Sequence, residues 1–279
     1  MIVVTGATGK VGRHLVAGLL AAGAPVRALT RDPAAANLPA GTELARFDPA
    51  RPGTATAALA GATAVFLNAT AVGRVLGQLM AAASRVGVRR AVLLSSFTVR
   101  DNGAQPYAIG AQHKALEDMV AASGLERVFL RCGGFAANTL AWAPMIRAEG
   151  VVRVPYPGAA TAPIAEQDIA AAAVRVLLGD GDAAARYVLT GPQSLTQVEQ
   201  VQAIGAAIGR DLRTEELPPG AFRQAATARM PAAAVDDMLR YYAEYVGRTA
   251  EMSPDLDTIT GQPGTTFAEW ADEHADRFR

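Results

Sequence analysis

The sequence has few of the residues that build disulfide bonds and metal sites. Its 279 residues include one cysteine, Cys132, and three histidines, His14, His113 and His274. A single cysteine excludes an internal disulfide framework and any zinc site built on several cysteines, and the histidines lack the spacing of metal ligands. We therefore predict no metal site.

Charge of one sign is also lacking. Lys and Arg together number 26, as do Asp and Glu, so the formal net charge is zero. This balance argues against a nucleic-acid partner. The sequence shows neither the basic runs that bind anionic membranes nor an apolar stretch of the roughly 20 residues that span one. A strand pattern follows Met1 directly, so we predict no signal peptide and expect a cytoplasmic protein without membrane association.

The first half of the chain alternates short apolar runs with helical patterns. Runs that are apolar throughout are typical of a parallel sheet covered on both faces. The predicted strands are Ile2–Thr5, Val26–Thr30, Glu43–Phe47, Ala64–Asn68, Ala91–Leu94 and Val128–Arg131. The predicted helices are Lys10–Ala22, Arg74–Val86 and Ala111–Ala122, each with a glycine close behind it. This alternation predicts a doubly wound, Rossmann-type α/β fold.

The second half is less regular and predicts a smaller, mostly helical domain. Its predicted helices are Glu166–Leu178, Gln197–Ile208, Pro231–Tyr245 and Thr265–Phe278, and its short strands fall within Val151–Pro157, Tyr187–Gly191 and Leu212–Leu217. We predict an NAD(P)-binding domain over residues 1–150, to which 163–180 returns. The remainder of 151–279 would cap the carboxyl edge of the sheet and bind the substrate.

A cluster of three glycines separates the first strand from the first helix. A strand that turns sharply into a helix needs a residue that tolerates positive φ. A diphosphate must approach the backbone without a Cβ in the way, and the helix N-terminus offers it unpaired N–H groups. The placement inside a βαβ repeat makes this a strong dinucleotide signal. The predicted contacts are Gly6, Thr8, Gly9, Lys10, Val11 and Gly12.

The charged residues after the second strand bear on the choice of cofactor. Arg31 comes first, and a guanidinium suits the 2′-phosphate of NADPH. Asp32 follows at once, and a carboxylate there would favour the 2′-hydroxyl of NADH. We expect NADPH, with NADH possible. The alternative is a charge pair exposed to solvent.

Polar and small residues at the ends of later strands extend the predicted cofactor site. Asp48 either accepts from the adenine amino group or begins a turn before Pro49. Asn68 and Ala69 are small enough for a cofactor to lie flat over them. Ser95 either places a hydroxyl beside the nicotinamide or satisfies a turn.

The end of the sixth strand contains paired glycines that suggest a close approach to the nicotinamide. After Gly133 and Gly134, Phe135 would pack on that ring or in the core, and Asn138 would reach a polar group. We expect Cys132 to be a buried small residue and no nucleophile, because no base lies near it in the sequence.

Several of these motifs resemble the NmrA-like family of atypical short-chain dehydrogenase/reductases. They are Thr5–Gly12, Val26–Arg31, Leu94–Ser96, His113–Leu125, Leu130–Asn138, Ala162–Ala170 and Tyr187–Pro192. The resemblance covers most of the chain through about residue 220. It implies an NAD(P)H-binding Rossmann fold. Members of the family include quinone and azo reductases, isoflavone-type reductases and redox sensors.

The usual catalytic pair of short-chain dehydrogenases is missing. Their Tyr-x-x-x-Lys motif uses the tyrosine to give a proton to the carbonyl oxygen and the lysine to lower its pKa. Aligned on Glu117, this sequence has Ile109 and His113 in those positions. Aligned on Lys114, it has Gly110 in the tyrosine position. Neither alignment supplies a tyrosine.

The remaining candidates for catalysis are His113 and Lys114, together with Ser95. His113 and Glu117 share one helix face, so Glu117 would hold the imidazole in one tautomer. His113 or Lys114 would then hydrogen-bond the nicotinamide ribose or protonate a reduced product. The alternative is a polar helix face exposed to solvent. Tyr107 lies nearby but is out of register.

Two functions fit these features best. The first is an NADPH-dependent reductase of a flat, conjugated acceptor such as a quinone, enone or aromatic ketone, whose delocalised product anion needs the tyrosine less. The second is a protein that senses NADP(H) and acts through a protein partner; an epimerase or dehydratase comes third. A homodimer is possible. The residues that either line a substrate pocket or pack in the core are Trp142, Met145, Tyr241, Tyr242 and Tyr245.

Overall fold

The computed structural model describes residues 1–179 and 182–279. Residue 180, the last of the predicted return segment, lies outside them. The strands are β1 (Ile2–Thr5), β2 (Val26–Thr30), β3 (Glu43–Arg46), β4 (Ala64–Asn68), β5 (Arg90–Ser96), β6 (Glu126–Cys132), β7 (Val151–Val154), β8 (Ala160–Thr161), β9 (Arg186–Leu189), β10 (Leu195–Thr196) and β11 (Arg213–Glu216).

The α-helices alternate with these strands in the first half and predominate in the second. They are α1 (Lys10–Ala21), α2 (Ala55–Ala58), α3 (Ala69–Val72), α4 (Leu76–Arg85), α5 (Ala108–Ala121), α6 (Ala143–Glu149), α7 (Glu166–Leu178), α8 (Gln197–Ile208), α9 (Pro219–Ala226), α10 (Ala232–Glu244), α11 (Asp255–Thr260) and α12 (Phe267–Glu273). Short 3-10 helices lie at Pro52–Thr54, Gly73–Val75, Ala136–Trp142 and Ala275–Arg277.

A seven-stranded parallel sheet forms the centre of the molecule. Its strand order is β3-β2-β1-β4-β5-β6-β9, and every neighbouring pair is parallel. The first six strands have the order of a dinucleotide-binding Rossmann fold. The predicted fold class is therefore confirmed.

Helices cover both faces of this sheet, as the uniformly apolar strands predicted. Val4 and Phe66 pack with α1 and α7 on one face. Val3 and Val65 pack with α4 and α5 on the other. Successive residues of a strand point to opposite faces, and helices cover both faces. These four side chains are therefore fully buried.

The sheet takes in more of the second half than the sequence indicated. Besides α7, the chain returns with β9, which pairs with β6 from Phe129 opposite Arg186 to Cys132 opposite Leu189. A separate apolar cluster, which includes Ile146, Ile204 and Trp270, joins the 136–154 segment to α8 and α12. The division into two domains stays a prediction. Among the described residues, no helix is long and apolar enough to cross a membrane.

Two predicted helices begin elsewhere than expected. The helix predicted from Ala111 begins at Ala108, because the Asp237 carboxylate on α10 accepts from the Ile109 N–H at 3.0 Å. That acceptor lies far along the chain and is invisible to local sequence patterns. The helix predicted over Arg74–Val86 begins with a 3-10 turn and becomes α-helical at Leu76.

A buried carboxylate connects the end of β6 to the C-terminal helix. Glu166, only 3% exposed, accepts from the Ala137 N–H through Oε1 (3.0 Å) and from the Trp270 Nε1–H through Oε2 (3.1 Å). Both donors would otherwise be buried without a partner. Glu166 therefore fixes the segment after β6, where Phe135 and Asn138 lie.

Replacing this carboxylate should destabilise the protein. In Glu166→Ala, two buried donors lose their acceptor, at about 1–3 kcal/mol each. We expect Glu166→Ala to lower the free energy of unfolding by about 2–5 kcal/mol in urea titrations. The neighbour Gln167 is half-buried and donates one hydrogen bond to Glu273 at the surface, so Gln167→Ala should change it by no more than about 1 kcal/mol. Equal urea concentrations at the unfolding midpoints of the two variants would contradict the role given to Glu166.

Candidate active site

The turn between β1 and α1 depends on all three of its glycines. Gly6 has φ +64°, in the left-handed region. A Cβ on Gly12 would lie 2.2 Å from the Gly6 carbonyl oxygen, and one on Gly9 would lie 3.1 Å from it. The Gly9 N–H donates to the same oxygen at 2.9 Å. The turn can close only because none of these residues has a side chain.

The N-terminus of α1 is open to an anion. Gly9 is the N-cap in extended conformation, and no side chain caps the helix. Thr8 and Lys10 are exposed beside it, and the Lys10 ammonium donates to the Ala137 carbonyl at 3.1 Å. Val11 is buried in the core, so only its backbone N–H can face a ligand. Uncapped N–H groups and the helix dipole together suit a phosphate.

The end of β4 lies directly against this turn. The Thr5 hydroxyl donates to the Phe66 carbonyl at 3.0 Å and accepts from the Asn68 N–H at 2.8 Å. Asn68 Oδ1 in turn accepts from Thr70 N–H and caps α3. A Cβ on Gly6 would lie 3.0 Å from the Asn68 Cβ. The predicted cofactor residues Asn68 and Ala69 therefore adjoin the glycine turn.

The two charged residues after β2 do not pair with each other. Asp32 Oδ1 accepts from the Ala34 N–H at 3.1 Å and closes a local turn. Arg31 is exposed and has no ion-pair partner within residues 1–179 and 182–279. Both side chains are exposed, so the contact of Arg31 with the cofactor and the alternative of solvated charges both stay predictions. Asp48 begins a turn, accepting from the Ala50 N–H at 2.9 Å; its contact with adenine stays a prediction.

A buried charged network lies below the ends of β5 and β6. The Ser95 hydroxyl donates to Glu117 Oε1 at 2.7 Å. Arg131 donates to Glu117 through Nε (2.9 Å) and Nη2 (2.7 Å), and to the two oxygens of Asp101 at 2.7 and 3.1 Å. Ser95, Glu117 and Arg131 are all buried, whereas Asp101 is half exposed.

This network corrects the role expected of Glu117. Its carboxylate binds Ser95 and Arg131 and makes no hydrogen bond to His113. A buried carboxylate is stabilised by a cation, and Arg131 on β6 meets that of Glu117 in a forked geometry. Burial alone would lower the pKa of Arg131, but its hydrogen bonds to Glu117 and Asp101 raise that pKa above the usual value. The hydrogen bond from Arg131 lowers the pKa of Asp101.

The imidazole of His113 is mostly buried and neutral. Its Nδ1 has no hydrogen-bond partner among the described residues. Burial lowers the pKa of His113 below 6.5, although the Glu117 charge opposes the shift. Lys114 instead pairs with Asp118 at 2.5 Å on the outer side of α5. The catalytic roles of His113 and Lys114 stay predictions.

Beyond Ser95 and Cys132, the backbone is held by its neighbours. The Phe97 N–H donates to the Cys132 carbonyl at 3.0 Å, and Ile164 N–H donates to the Gly134 carbonyl at 2.9 Å. Burial raises the pKa of the Cys132 thiol well above its usual range, which is consistent with an unreactive side chain. Phe135 is half-buried against the core and Asn138 is exposed.

The large side chains proposed for a substrate pocket divide into two groups. Trp142 and Met145 pack against the apolar cluster of the second half. Tyr241 and Tyr245 line a cavity of about 130 Å³ beside α5, and the ring of Tyr242 meets that of Tyr241 edge-on. The structure thus places two of the five at a cavity.

The residues that complete the network, Arg131 and Asp101, were not predicted from the sequence. For Arg131, the sequence predicted only that it ends a strand. An arginine inside an otherwise apolar strand, and a glutamate on the buried face of a helix, are signals of an internal ion pair. Asp101 lies in an exposed loop and offers no such signal.

The parallel sheet, the glycine turn and the open helix N-terminus define a dinucleotide-binding protein of the Rossmann class. The chain belongs to the NmrA-like family, whose model matches residues 1–272. The sequence resemblance to that family is therefore confirmed.

The similar proteins include several named reductases. The chain is 37% identical over 281 residues to a (4-alkanoyl-5-oxo-2,5-dihydrofuran-3-yl)methyl phosphate reductase of Streptomyces griseus, covering 100% of this chain and 99% of the relative. It is 34% identical over 288 residues to an NAD(P)H azoreductase of Xenophilus azovorans, with the same coverage. A quinone oxidoreductase of Escherichia coli, solved with NADPH, has a TM-score of 0.81 at 25% identity and covers 98% of this chain and 99% of its own. The predicted oxidoreductase class is confirmed.

The close contact at Gly12 gives a direct test of the turn. A methyl group on Gly12 must displace the Gly6 carbonyl, and overpacking of this kind costs about 1–3 kcal/mol or more. We expect Gly12→Ala to lower the free energy of unfolding by that amount. A Cβ on Gly77 in α4 would have no atom within 4 Å, and Gly77 has no positive φ, so Gly77→Ala should raise that free energy by about 0.5–1 kcal/mol. Chemical denaturation measures both, and a neutral Gly12→Ala would contradict this account.

Proposed function

We propose that this protein is an NADPH-dependent reductase that transfers a hydride to a flat, conjugated acceptor such as a quinone, an enone or an aromatic ketone. The observation that carries the proposal is the pairing of an open glycine turn with a sheet edge that lacks the usual catalytic tyrosine. The first binds the cofactor, and the second restricts the acceptor.

Several features support NADPH as the cofactor. The uncapped N-terminus of α1 suits the diphosphate, with Thr8 and Lys10 exposed beside it. Arg31 is exposed at the end of β2 with no ion-pair partner among the described residues, while Asp32 is occupied by its own turn. A guanidinium in that position suits a 2′-phosphate. The Escherichia coli structure with NADPH and the NAD(P)H azoreductase agree with this choice.

The position of the missing tyrosine supports a conjugated acceptor. Ile109 and Gly110, the two candidates for that position, lie in the first turn of α5 and offer no proton. Hydride addition to a conjugated acceptor gives a delocalised anion, which solvent can protonate. The named substrates of the relatives are an acyl-substituted unsaturated lactone, azo compounds and quinones, all of which are conjugated.

The residues below the sheet edge have supporting roles in this scheme. NADPH, when bound, supplies the hydride. The Ser95 hydroxyl donates its hydrogen bond to Glu117, so its oxygen can only accept a further hydrogen bond at the sheet edge. Arg131 holds the Glu117 carboxylate in place with two hydrogen bonds. The neutral imidazole of His113 can accept or donate one hydrogen bond. Phe135, Asn138, Asp48, Asn68 and Ala69 stay proposed cofactor contacts.

A panel of acceptors tests the proposal. The purified protein should oxidise NADPH when quinones, enones or aromatic ketones are present. The loss of absorbance of the reduced nicotinamide measures the reaction. Tight binding of NADPH with no turnover across the panel would contradict the reductase. That outcome would favour the alternative, a protein that senses NADP(H) and acts through a protein partner.

Arg31 should determine the preference for NADPH. Loss of one charge-assisted contact to the 2′-phosphate costs about 1.5–3 kcal/mol. We therefore expect Arg31→Ala to raise the Kd of NADPH about tenfold to hundredfold in fluorescence titrations, with the Kd of NADH unchanged. Arg85, at the end of α4, provides the control: Arg85→Ala should change neither constant. Equal weakening of NADPH and NADH in Arg31→Ala would exclude a contact with the 2′-phosphate.

A further inference from the structure

One helix of the second half reaches the sheet edge at which the acceptor must react. Phe97, two residues after Ser95, donates its N–H to the carbonyl of Cys132 and so stays beside the ends of β5 and β6. The ring of Tyr241, on α10, meets the Phe97 ring edge-on with centroids 5.7 Å apart. In open α/β sheets, ligands bind at the carboxyl ends of the strands. The α10 helix therefore covers part of that crevice.

Four aromatic rings line a cavity at this contact. They belong to Phe97, Tyr107, Tyr241 and Tyr245, and the cavity measures about 130 Å³. A cavity of about 150 Å³ accepts benzene. The space between α5, α10 and the loop after β5 is therefore close to the size of a single six-membered ring. Arg100, Glu244 and Glu251 also line it, so it has a polar side.

The cavity adjoins the position where the usual tyrosine is missing. Tyr107 is the N-cap of α5 and precedes Ile109 by two residues. Its hydroxyl is already committed, because it donates to Glu244 Oε2 at 3.0 Å. Tyr107 cannot take the place of the missing residue without giving up that bond.

Tyr241 is the lining phenol that remains available. Its hydroxyl donates to no residue that the structure describes, whereas Tyr245 lies beside the carboxylate of Glu251. Burial, together with the nearby Tyr245 and Glu251, raises the pKa of Tyr241 above the usual value. The phenol is therefore protonated at neutral pH and acts as a hydrogen-bond donor.

We propose that this cavity is the acceptor site and that the Tyr241 hydroxyl hydrogen-bonds the carbonyl oxygen of a single-ring conjugated acceptor, in place of the missing tyrosine. This inference rests on the proposed function and narrows its substrate class. Acceptors of two or more linked rings would leave part of the molecule outside the cavity and would react more slowly. Tyr241 is then a catalytic residue supplied by α10 and not by α5.

The reaction balances without a protein acid. The acceptor gains a hydride, one hydrogen nucleus with two electrons, from NADPH, which leaves as NADP⁺. For an enone, the hydride forms a new C–H bond at the β-carbon. For a quinone, it forms an O–H bond at one carbonyl oxygen, and the ring π electrons shift toward the other. The displaced π electron pair moves to the carbonyl oxygen, where the Tyr241 hydroxyl donates to the growing negative charge. One proton from water completes the reduced product.

A pair of quinones and one variant test both parts of the inference. 2-Methyl- and 2-phenyl-1,4-benzoquinone share the reacting ring and differ in bulk. We expect kcat/KM of the wild-type protein to be at least about tenfold higher for the methyl compound. Loss of one donor to a developing oxyanion reduces kcat by about hundredfold to thousandfold. We expect that loss in Tyr241→Phe with the methyl compound, while the Kd of NADPH and the circular dichroism spectrum stay unchanged.

Tyr187 on β9 gives the matched control, because it packs on the core away from the cavity. Tyr187→Phe should keep the wild-type kcat/KM. If Tyr241→Phe also keeps it, the role of Tyr241 is overturned, although the reductase stands. If the phenyl compound reacts as fast as the methyl one, the cavity is not the acceptor site. A wild-type protein that oxidises NADPH with neither quinone nor any other acceptor overturns both the inference and the proposed function.

Discussion

The contact between Gly12 and the carbonyl of Gly6 fixes where the first helix starts, and the rest of the candidate site is arranged around that start. With 2.2 Å between that oxygen and a Cβ position, no other residue allows α1 to approach β1 so closely. The approach brings Asn68 against Gly6 and lets Lys10 bind the carbonyl of Ala137 after β6. Three strand ends thus face one open helix terminus, which is the geometry that a dinucleotide requires.

A second constraint lies beneath that edge. Ion pairs buried in an apolar interior are often no more stabilising than apolar side chains of the same size. The Arg131–Glu117 pair is better explained by what it positions. It holds the carboxylate that accepts the Ser95 hydrogen bond, and it joins β6 to α5 below the ends of β5 and β6. The Ser95 oxygen is thereby left as an acceptor at the strand end, which the proposed reductase would use to orient the nicotinamide amide.

Sequence patterns predicted those features that depend on neighbouring residues. The doubly wound parallel sheet followed from the alternation of strands and helices, and the glycine turn followed from the spacing of Gly6, Gly9 and Gly12. Features that depend on contacts between distant residues could not be predicted from these patterns. The start of α5 depends on Asp237, 128 residues further along the chain from Ile109. The partner of Glu117 depends on how α5 packs on β6, and its spacing from His113 pointed to the wrong one.

Transfer of a labelled hydride tests the central claim most directly. NADPH carrying deuterium at the transferred position of C4 would be incubated with the protein and a cyclic enone, and the product examined by NMR and mass spectrometry. We expect one deuterium at the β-carbon of the saturated ketone and hydrogen from water at the α-carbon. A product without deuterium, or NADPH recovered unchanged beside unreacted enones and quinones, would contradict hydride transfer to a conjugated acceptor.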